Sequence, residues 1–291
     1  MKKAIFTLSI LILFTIFCFC AFEDIPSTGL SRGLGGALSS RLEGSESVFY
    51  NPAGMFTKEK FSLTLSYGHP YQISDLNRSV FCLTFKQGRF NFGLGFNQIS
   101  LAGIYSELKI VTGISFRHQR LFLGASVNYY SISISGIDYS EEVSGLPELR
   151  SKSTGTTFSA GGVYLLTENL NISFTVYDLG EASFSHSSGV AGDETELPMQ
   201  ISAGSLYNLR DFVFFSAELR NSLDDFGFID RSLRVGVEFI FYEAVAFRLG
   251  NYAGDTTFGF GISGKKFSLD FGLISNPALG NSYVYSVNLR F

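Results

Sequence analysis

The stretch NSYVYSVNLRF, residues 281–291, alternates strictly between two kinds of side chain. Every second residue is apolar or aromatic: Tyr283, Tyr285, Val287, Leu289 and Phe291. The residues between them are mostly polar. Because successive side chains of a β-strand point to opposite faces, this pattern predicts a strand with one apolar and one polar face. In an exported bacterial chain, such a strand is typical of the wall of an outer-membrane barrel.

The same stretch carries a candidate assembly signal. An aromatic residue at the end of the last strand resembles the signal that the barrel-assembly machinery of the bacterial outer membrane reads. We therefore expect Phe291, Leu289 and Tyr283 to form this signal. The assembly machinery and outer-membrane lipid are accordingly two expected partners of the chain.

The beginning of the chain predicts export. Two lysines precede an apolar run that extends to Phe19, and Cys20 and Ala21 follow it. A short basic segment, an apolar run and small residues are typical of a secretory signal peptide. We predict that residues 1–20 form this peptide, with cleavage between Cys20 and Ala21. A retained membrane anchor is the open alternative.

Composition excludes several classes of protein. Only 16% of the 291 residues are charged and the net charge is −4, which argues against a nucleic-acid partner. The 31 glycines, 31 phenylalanines and 14 tyrosines favour strands and tight turns over a helical enzyme. Two of the three cysteines lie in the predicted signal peptide, so Cys82 alone would remain and no intramolecular disulfide could form.

From residue 61 onward, the period-two pattern divides the chain into about fourteen segments of about ten residues, the length that a tilted strand needs to cross hydrocarbon. Short turns such as 87–88 and 242–243 alternate with longer polar connections such as 68–77 and 135–152. Backbone polar groups have no water partner in hydrocarbon, so a spanning sheet must close. We predict an all-β fold, a transmembrane antiparallel β-barrel of about 14 strands, over residues 60–291.

Residues 21–59 do not follow the strand pattern. They contain a small-residue run at 33–38 and the sequence Asn51-Pro52-Ala53-Gly54 directly before the first strand. In this sequence we expect Asn to cap a turn, Pro to fix φ, and Gly to adopt a backbone conformation closed to other residues. Two roles are open for the turn: a gate that moves with ligand, or a tight turn with a structural role alone.

The sequences SLRVGVEF at 232–239, AFRLG at 246–250 and FGFGI at 258–262, together with the N-terminal segment, resemble the FadL/PorV group of outer-membrane barrels. The resemblance is greatest to the short PorV- and PorQ-like members. It implies a fourteen-stranded barrel whose lumen is occluded by an N-terminal plug, or hatch, over residues 21–59. It also implies one of two functions: passage of hydrophobic molecules, or docking in a protein secretion system.

Charged residues of both signs fall on the predicted inward faces of the strands: Arg220, Arg234, Glu238, Arg248 and Asp270. Buried charges must pair to offset the cost of desolvation. In one interpretation these residues hold the plug and line a path past it; in the other they form a self-contained polar network. Arg234 and Glu238, on the same face of one strand, are the candidate latch for the plug.

The leading functional prediction is a barrel for passive uptake or passage of small hydrophobic molecules, gated by the plug. Gly93, Gly95, Gly259 and Gly261 would weaken the wall and allow lateral exit. The alternative is a docking or shuttle component of a secretion system, with secretion proteins as partners in place of a hydrophobic small molecule. No histidine shares a strand face with a serine and an acid, and no metal-ligand spacing occurs, so no enzyme, catalytic residue, metal site or cofactor is predicted.

Overall fold

The computed structural model describes residues 22, 27–42, 44–135, 151–180, 182–185, 194–223 and 229–291. The predicted signal peptide, residues 1–20, lies outside these ranges. Two short helices precede the strands, α1 (Gly29–Gly33) and α2 (Ser47–Tyr50), and single 3₁₀ turns follow at Pro52–Gly54 and Pro70–Gln72. Within the described ranges, no helix is both long and apolar enough to cross a bilayer.

Sixteen strands occur in the described part of the chain. They are β1 (Phe61–His69), β2 (Leu76–Gln87), β3 (Phe90–Leu101), β4 (Tyr105–His118), β5 (Leu121–Ile134), β6 (Ser151–Leu165), β7 (Leu170–Leu179), β8 (Ala182–Ser185), β9 (Glu194–Leu197), β10 (Met199–Leu209), β11 (Val213–Leu223), β12 (Ile229–Phe241), β13 (Val245–Tyr252), β14 (Asp255–Ser263), β15 (Phe267–Asn276) and β16 (Gly280–Arg290).

Fourteen of these strands form one closed antiparallel barrel. Each strand pairs with its neighbours in sequence, β7 pairs with β10 across the β8–β9 hairpin, and β16 pairs with β1 to close the sheet. The closed sheet pairs the backbone groups of every wall strand on both sides, as a hydrocarbon environment demands. Every predicted segment corresponds to one barrel strand, so the predicted fold class and the count of fourteen are confirmed.

The two faces of the wall differ as the period-two pattern predicted. On β1, Ser62 and Thr64 are 3% and 2% exposed, whereas Leu65 and Tyr67 are both 48% exposed. Small polar residues therefore face inward, and large apolar residues face outward. An apolar exterior on a closed sheet is the arrangement that spans a membrane.

The barrel closes where the first and last strands meet. Phe291 and Phe61 exchange two backbone hydrogen bonds of 2.9 Å, and Leu289 stands opposite Leu63 in the register of β16 and β1. Tyr283 lies farther along the same seam, opposite His69. Their service as a signal for the assembly machinery stays a prediction.

Replacing Phe291 with aspartate should strongly reduce the amount of folded barrel in the outer membrane. The side chain is 59% exposed on the outer surface, so the change puts a charge at the seam and removes the aromatic ring of the predicted signal. Gel migration of unheated outer-membrane fractions separates folded from unfolded barrel. Tyr242→Asp is the matched control, because Tyr242 is 97% exposed at a turn. Equal amounts of folded barrel in both variants would contradict the assigned signal.

One outer connection has structure that the sequence did not predict. The period-two pattern assigns no strand between β7 and β10, but β8 and β9 pair there as a separate two-stranded sheet. Each strand has only four residues, too few for a period-two pattern to be recognised. Ala182 and Phe184 of this hairpin are buried against the inward side of β6 at Gly155.

Candidate functional site

The N-terminal segment, described over residues 27–42 and 44–57, packs against the inward faces of the wall. Most of its side chains are buried, and its contacts extend around the barrel from β15 and β16 near Gly29 to β3 and β4 near Met55. Leu34, Val48 and Phe49 of the segment share an apolar cluster with inward residues of the wall such as Val111. The segment brings into the lumen the apolar side chains that the wall itself mostly lacks there.

Glycines make this close packing possible. A Cβ atom at Gly259 would lie 2.8 Å from the Cα of Gly33, and one at Gly250 would lie 2.7 Å from the backbone nitrogen of Gly35. Contacts this short are not found for real Cβ atoms, so any side chain here would force the two backbones apart. Gly35 also has a φ of +62°, in the left-handed region that favours glycine.

The four glycines predicted to weaken the wall have a different role. Gly93 and Gly95 are paired on both sides in continuous register, as are Gly259 and Gly261. A Cβ at Gly95 would lie 2.6 Å from the ring of Phe49. These glycines therefore make room for groups inside the lumen and leave the hydrogen-bonded wall intact.

A chain of buried ion pairs joins the wall to the segment. Glu238 accepts hydrogen bonds from Arg248 Nε and from Arg41 Nη1, both at 2.8 Å. Arg248 Nη1 donates in turn to Asp270 Oδ1 at 2.7 Å. The Glu238 side chain is only 1% exposed, so its charge depends on these two cations.

A second group of charges surrounds Glu218. Its carboxylate accepts a hydrogen bond from Arg220 Nη2 at 3.1 Å and another from the backbone N–H of Ser39 at 3.1 Å. Arg234 lies 4.0 Å from the same carboxylate, and its guanidinium lies 4.5 Å from the ring centroid of Tyr252. Ser39 belongs to the N-terminal segment, so this group also joins the wall to the segment.

The predicted latch is therefore divided between two groups. Arg234 stands beside Glu218 of β11, and Glu238 stands beside Arg248 of β13. Residues four apart on one strand are separated by about 13 Å, so Arg234 and Glu238 do not pair with each other. Of the two, Glu238 contacts the segment directly through an ion pair.

Charged residues of the segment itself were not predicted as site residues. Arg41 is the partner of Glu238, and Glu46 is buried with its carboxylate accepting a hydrogen bond from Thr64 Oγ1 at 3.2 Å. Burial raises the pKa of the Glu46 carboxyl, which lies outside the wall strands. A charge in a segment that is expected to be buried requires a partner. This requirement could have identified Arg41 and Glu46 as site residues from the sequence.

The Asn51–Gly54 turn is fixed against β5 and β6. Asn51 Oδ1 accepts the Ala53 N–H at 3.0 Å, and Asn51 Nδ2 donates to the carbonyls of Ser39 at 2.8 Å and Gly162 at 3.4 Å. Pro52 starts the single 3₁₀ turn, as its restricted φ favours. Asn51 thus caps the turn as predicted and also attaches it to the wall.

The prediction for Gly54 was wrong in its reason. Gly54 does not have a positive φ. A Cβ there would instead lie 2.7 Å from the carbonyl oxygen of Arg41 and 3.1 Å from the side chain of Ser47. Lack of space, and not an unusual backbone conformation, is what favours glycine at this position.

A second apolar cluster lies inside the outer half of the barrel and was not predicted. Phe22 contacts the rings of Tyr130 and Phe184, at centroid distances of 4.8 and 5.8 Å. Ile132 and Leu197 complete its buried core. The hydroxyl of Tyr130 donates to Asp178 at 2.6 Å, so a polar group borders this cluster. We call these residues the outer apolar cluster.

Fold and lumen together define a class: a transmembrane β-barrel whose inward faces pack against its own N-terminal segment. The apolar exterior and the closed sheet place it in the bacterial outer membrane.

Comparison with solved structures gives relatives of this fold. The chain is similar to the CymD monoaromatic hydrocarbon channel, with a TM-score of 0.69 and 15% identity over 93% of this chain and 99% of that one. It is similar to the toluene transporter TodX of Pseudomonas putida, with a TM-score of 0.67 and 14% identity over 92% and 99%. It is also similar to a Pseudomonas aeruginosa FadL homologue, with a TM-score of 0.59 and 13% identity over 90% of this chain and 97% of that one. The sequence matches no model of a known protein family and no curated protein.

These relatives agree with the FadL part of the resemblance seen in the sequence. At 13–15% identity, the similarity shows a shared fold only. The PorV-like part of the resemblance finds no counterpart among them.

Proposed function

We propose that this protein is a channel for the passive passage of small hydrophobic molecules across the outer membrane, with residues 21–59 as its plug. The observation that carries the proposal is the apolar content of the lumen. Phe22, Tyr130 and Phe184 meet at the outer end, and Leu34 and Phe49 lie among the inward faces of the wall. A water-filled porin, by contrast, has a polar interior, and a polar interior would not attract an apolar solute.

The solved structures of similar fold support the same proposal. Two of them are described as a monoaromatic hydrocarbon channel and a toluene transporter. We carry that substrate class to this chain as part of the proposal. The docking role implied by the PorV resemblance has no comparable support, since none of these three structures is described as a secretion protein.

The proposed path begins at the outer apolar cluster, where a hydrophobic molecule displaces Phe22 from Tyr130 and Phe184. It continues when the Asn51–Gly54 turn leaves β5 and β6, with loss of the hydrogen bond that Asn51 Nδ2 donates to the Gly162 carbonyl. Passage ends at the periplasmic mouth. No energy source is needed, because the molecule moves down its concentration gradient.

Uptake of radiolabelled toluene by bacterial cells tests the proposal. Cells that produce this protein should take up toluene faster than cells with an empty vector, in a host without hydrocarbon channels. Phe184→Asp places a charge in the outer apolar cluster and should return uptake to the vector level. Glu243→Gln, at an exposed turn, should leave uptake unchanged. Equal uptake by wild-type and vector cells, with the barrel folded, would refute the proposed function.

A further inference from the structure

A cavity of about 490 Å³ opens at the end of the barrel that carries short turns, between the turn that joins β2 to β3 and the turn that joins β4 to β5. Lys86 and Arg117 project from inward positions of the wall, whereas Arg89 and His118 lie at the turns. Phe56, at the end of the N-terminal segment, also lines the cavity. Its volume is within the range of small-molecule sites.

The cations of this cavity differ from those deeper in the lumen. Lys86, Arg89, Arg117 and His118 form no ion pair with any carboxylate of the described residues. Arg41 and Arg248, by contrast, are each bound to a buried carboxylate. Three permanent positive charges, with a histidine beside them, therefore surround one open volume and repel each other.

The contacts that these cations do make leave most of their donors available. Lys86 Nζ and Arg117 Cζ lie 5.5 and 5.4 Å from the ring centroid of Phe56, and Arg117 Nε donates to the carbonyl of Gln119 at 3.2 Å. These contacts hold the side chains over the cavity but contribute no negative charge. The guanidinium group binds planar or tetrahedral oxyanions through two donors at once.

We propose that this cavity binds a multiply charged phosphoryl group, with Lys86, Arg89 and Arg117 as its ligands. A single carboxylate would balance one of the three permanent charges, whereas a phosphate monoester or diphosphate balances most of them. Phe85 and Phe90, next in sequence to the cavity residues Lys86 and Arg89, face outward and are 38% and 44% exposed, so the lipid that surrounds the wall ends near the mouth of the cavity. The phosphoryl group therefore has two sources: a phospholipid headgroup or a soluble periplasmic phosphate compound. This proposal does not rest on the proposed hydrocarbon passage.

Titration calorimetry of the full chain in detergent, with inorganic pyrophosphate at constant ionic strength, is the first arm of the test. The wild-type protein should bind pyrophosphate, and the double variant R89Q/R117Q should bind it at least about tenfold more weakly, since each charge-assisted hydrogen bond contributes about 1.5–3 kcal/mol, equivalent to roughly tenfold or more in affinity. The control K265Q/K266Q removes the same charge from another exposed turn and should bind like wild type.

The second arm uses vesicles of phosphatidylcholine, alone or mixed with phosphatidic acid, followed by native mass spectrometry. Pyrophosphate binding identifies a site open to soluble compounds, and retention of phosphatidic acid without pyrophosphate binding identifies a lipid site. Either result supports the proposal if R89Q/R117Q loses it and K265Q/K266Q keeps it. Binding of neither probe, or equal loss in both double variants, overturns it. If R89Q/R117Q does not fold, Arg89→Gln replaces it, because that side chain is exposed.

Discussion

Replacing Gly259 with valine should expel helix α1 from its position and open the lumen to small hydrophilic solutes. The new Cβ would lie 2.8 Å from the Cα of Gly33 and 3.0 Å from the Cβ of Arg248. The wall cannot move away, since Gly259 is paired with β13 and β15. Overpacking of this kind costs about 1–3 kcal/mol, and displacement of the segment relieves it. Single-channel recordings in planar bilayers should change from a closed level to frequent openings.

Gly162→Val is the matched control for this experiment. Gly162 also lies in a wall strand, β6, but the nearest atoms to a Cβ there are 3.6 and 3.7 Å away, which is ordinary contact. This variant should stay as closed as wild type. A barrel with Gly259→Val that conducts no more than this control would show that the segment does not occlude the lumen, against its proposed role as a plug.

Glu238→Gln should destabilise the protein by about 3 kcal/mol, the lower end of the range for a broken buried ion pair. The glutamine would leave Arg41 and Arg248 without the carboxylate to which both now donate at 2.8 Å. Because Arg41 belongs to the N-terminal segment, protease should also cut the segment faster. Urea unfolding in lipid vesicles measures the free energy, and mass analysis of limited digests locates the cuts.

Glu243→Gln makes the same chemical change at an exposed turn and should alter stability by less than about 0.5 kcal/mol. The double variant Glu238→Gln with Arg41→Met isolates the bond between wall and segment. If Arg41 is the important partner, the second change should add little to the first. Additive effects, or an unchanged digest pattern for Glu238→Gln, would contradict the assigned contact.

The wall was predictable from the sequence because one face must meet lipid along the whole length of each strand. This constraint repeats at every second residue, as at Leu63, Leu65 and Tyr67, and gives each strand its own signal. The β8–β9 hairpin does not follow this rule, since Phe184 is buried inside the barrel. Its position depends on contacts with β6 and β5, which no local pattern encodes.

The sequence indicated which charged residues belong to the candidate site, but it did not indicate which of them contact each other. The charges predicted at Arg220, Arg234, Glu238, Arg248 and Asp270 had to pair, and each lies within 4.0 Å of an opposite charge. The choice of partner, however, depends on strand register and on the path of the segment. Arg41 and Glu238 are 197 residues apart in the chain. The role of Arg234 and Glu238 as a latch for the plug stays a prediction.

The hydrogen bond from the Gly29 backbone to Ser286 spans 257 residues, nearly the entire chain. The N-terminal segment therefore finds some of its neighbours on strands that are synthesised long after it. Contacts of such long sequence separation slow folding, because the loop entropy is lost before the contact forms. Filling of the lumen is consequently a late event in biogenesis. Until then, the apolar side chains of residues 27–57 stay exposed, and exposed apolar surface of this kind favours aggregation.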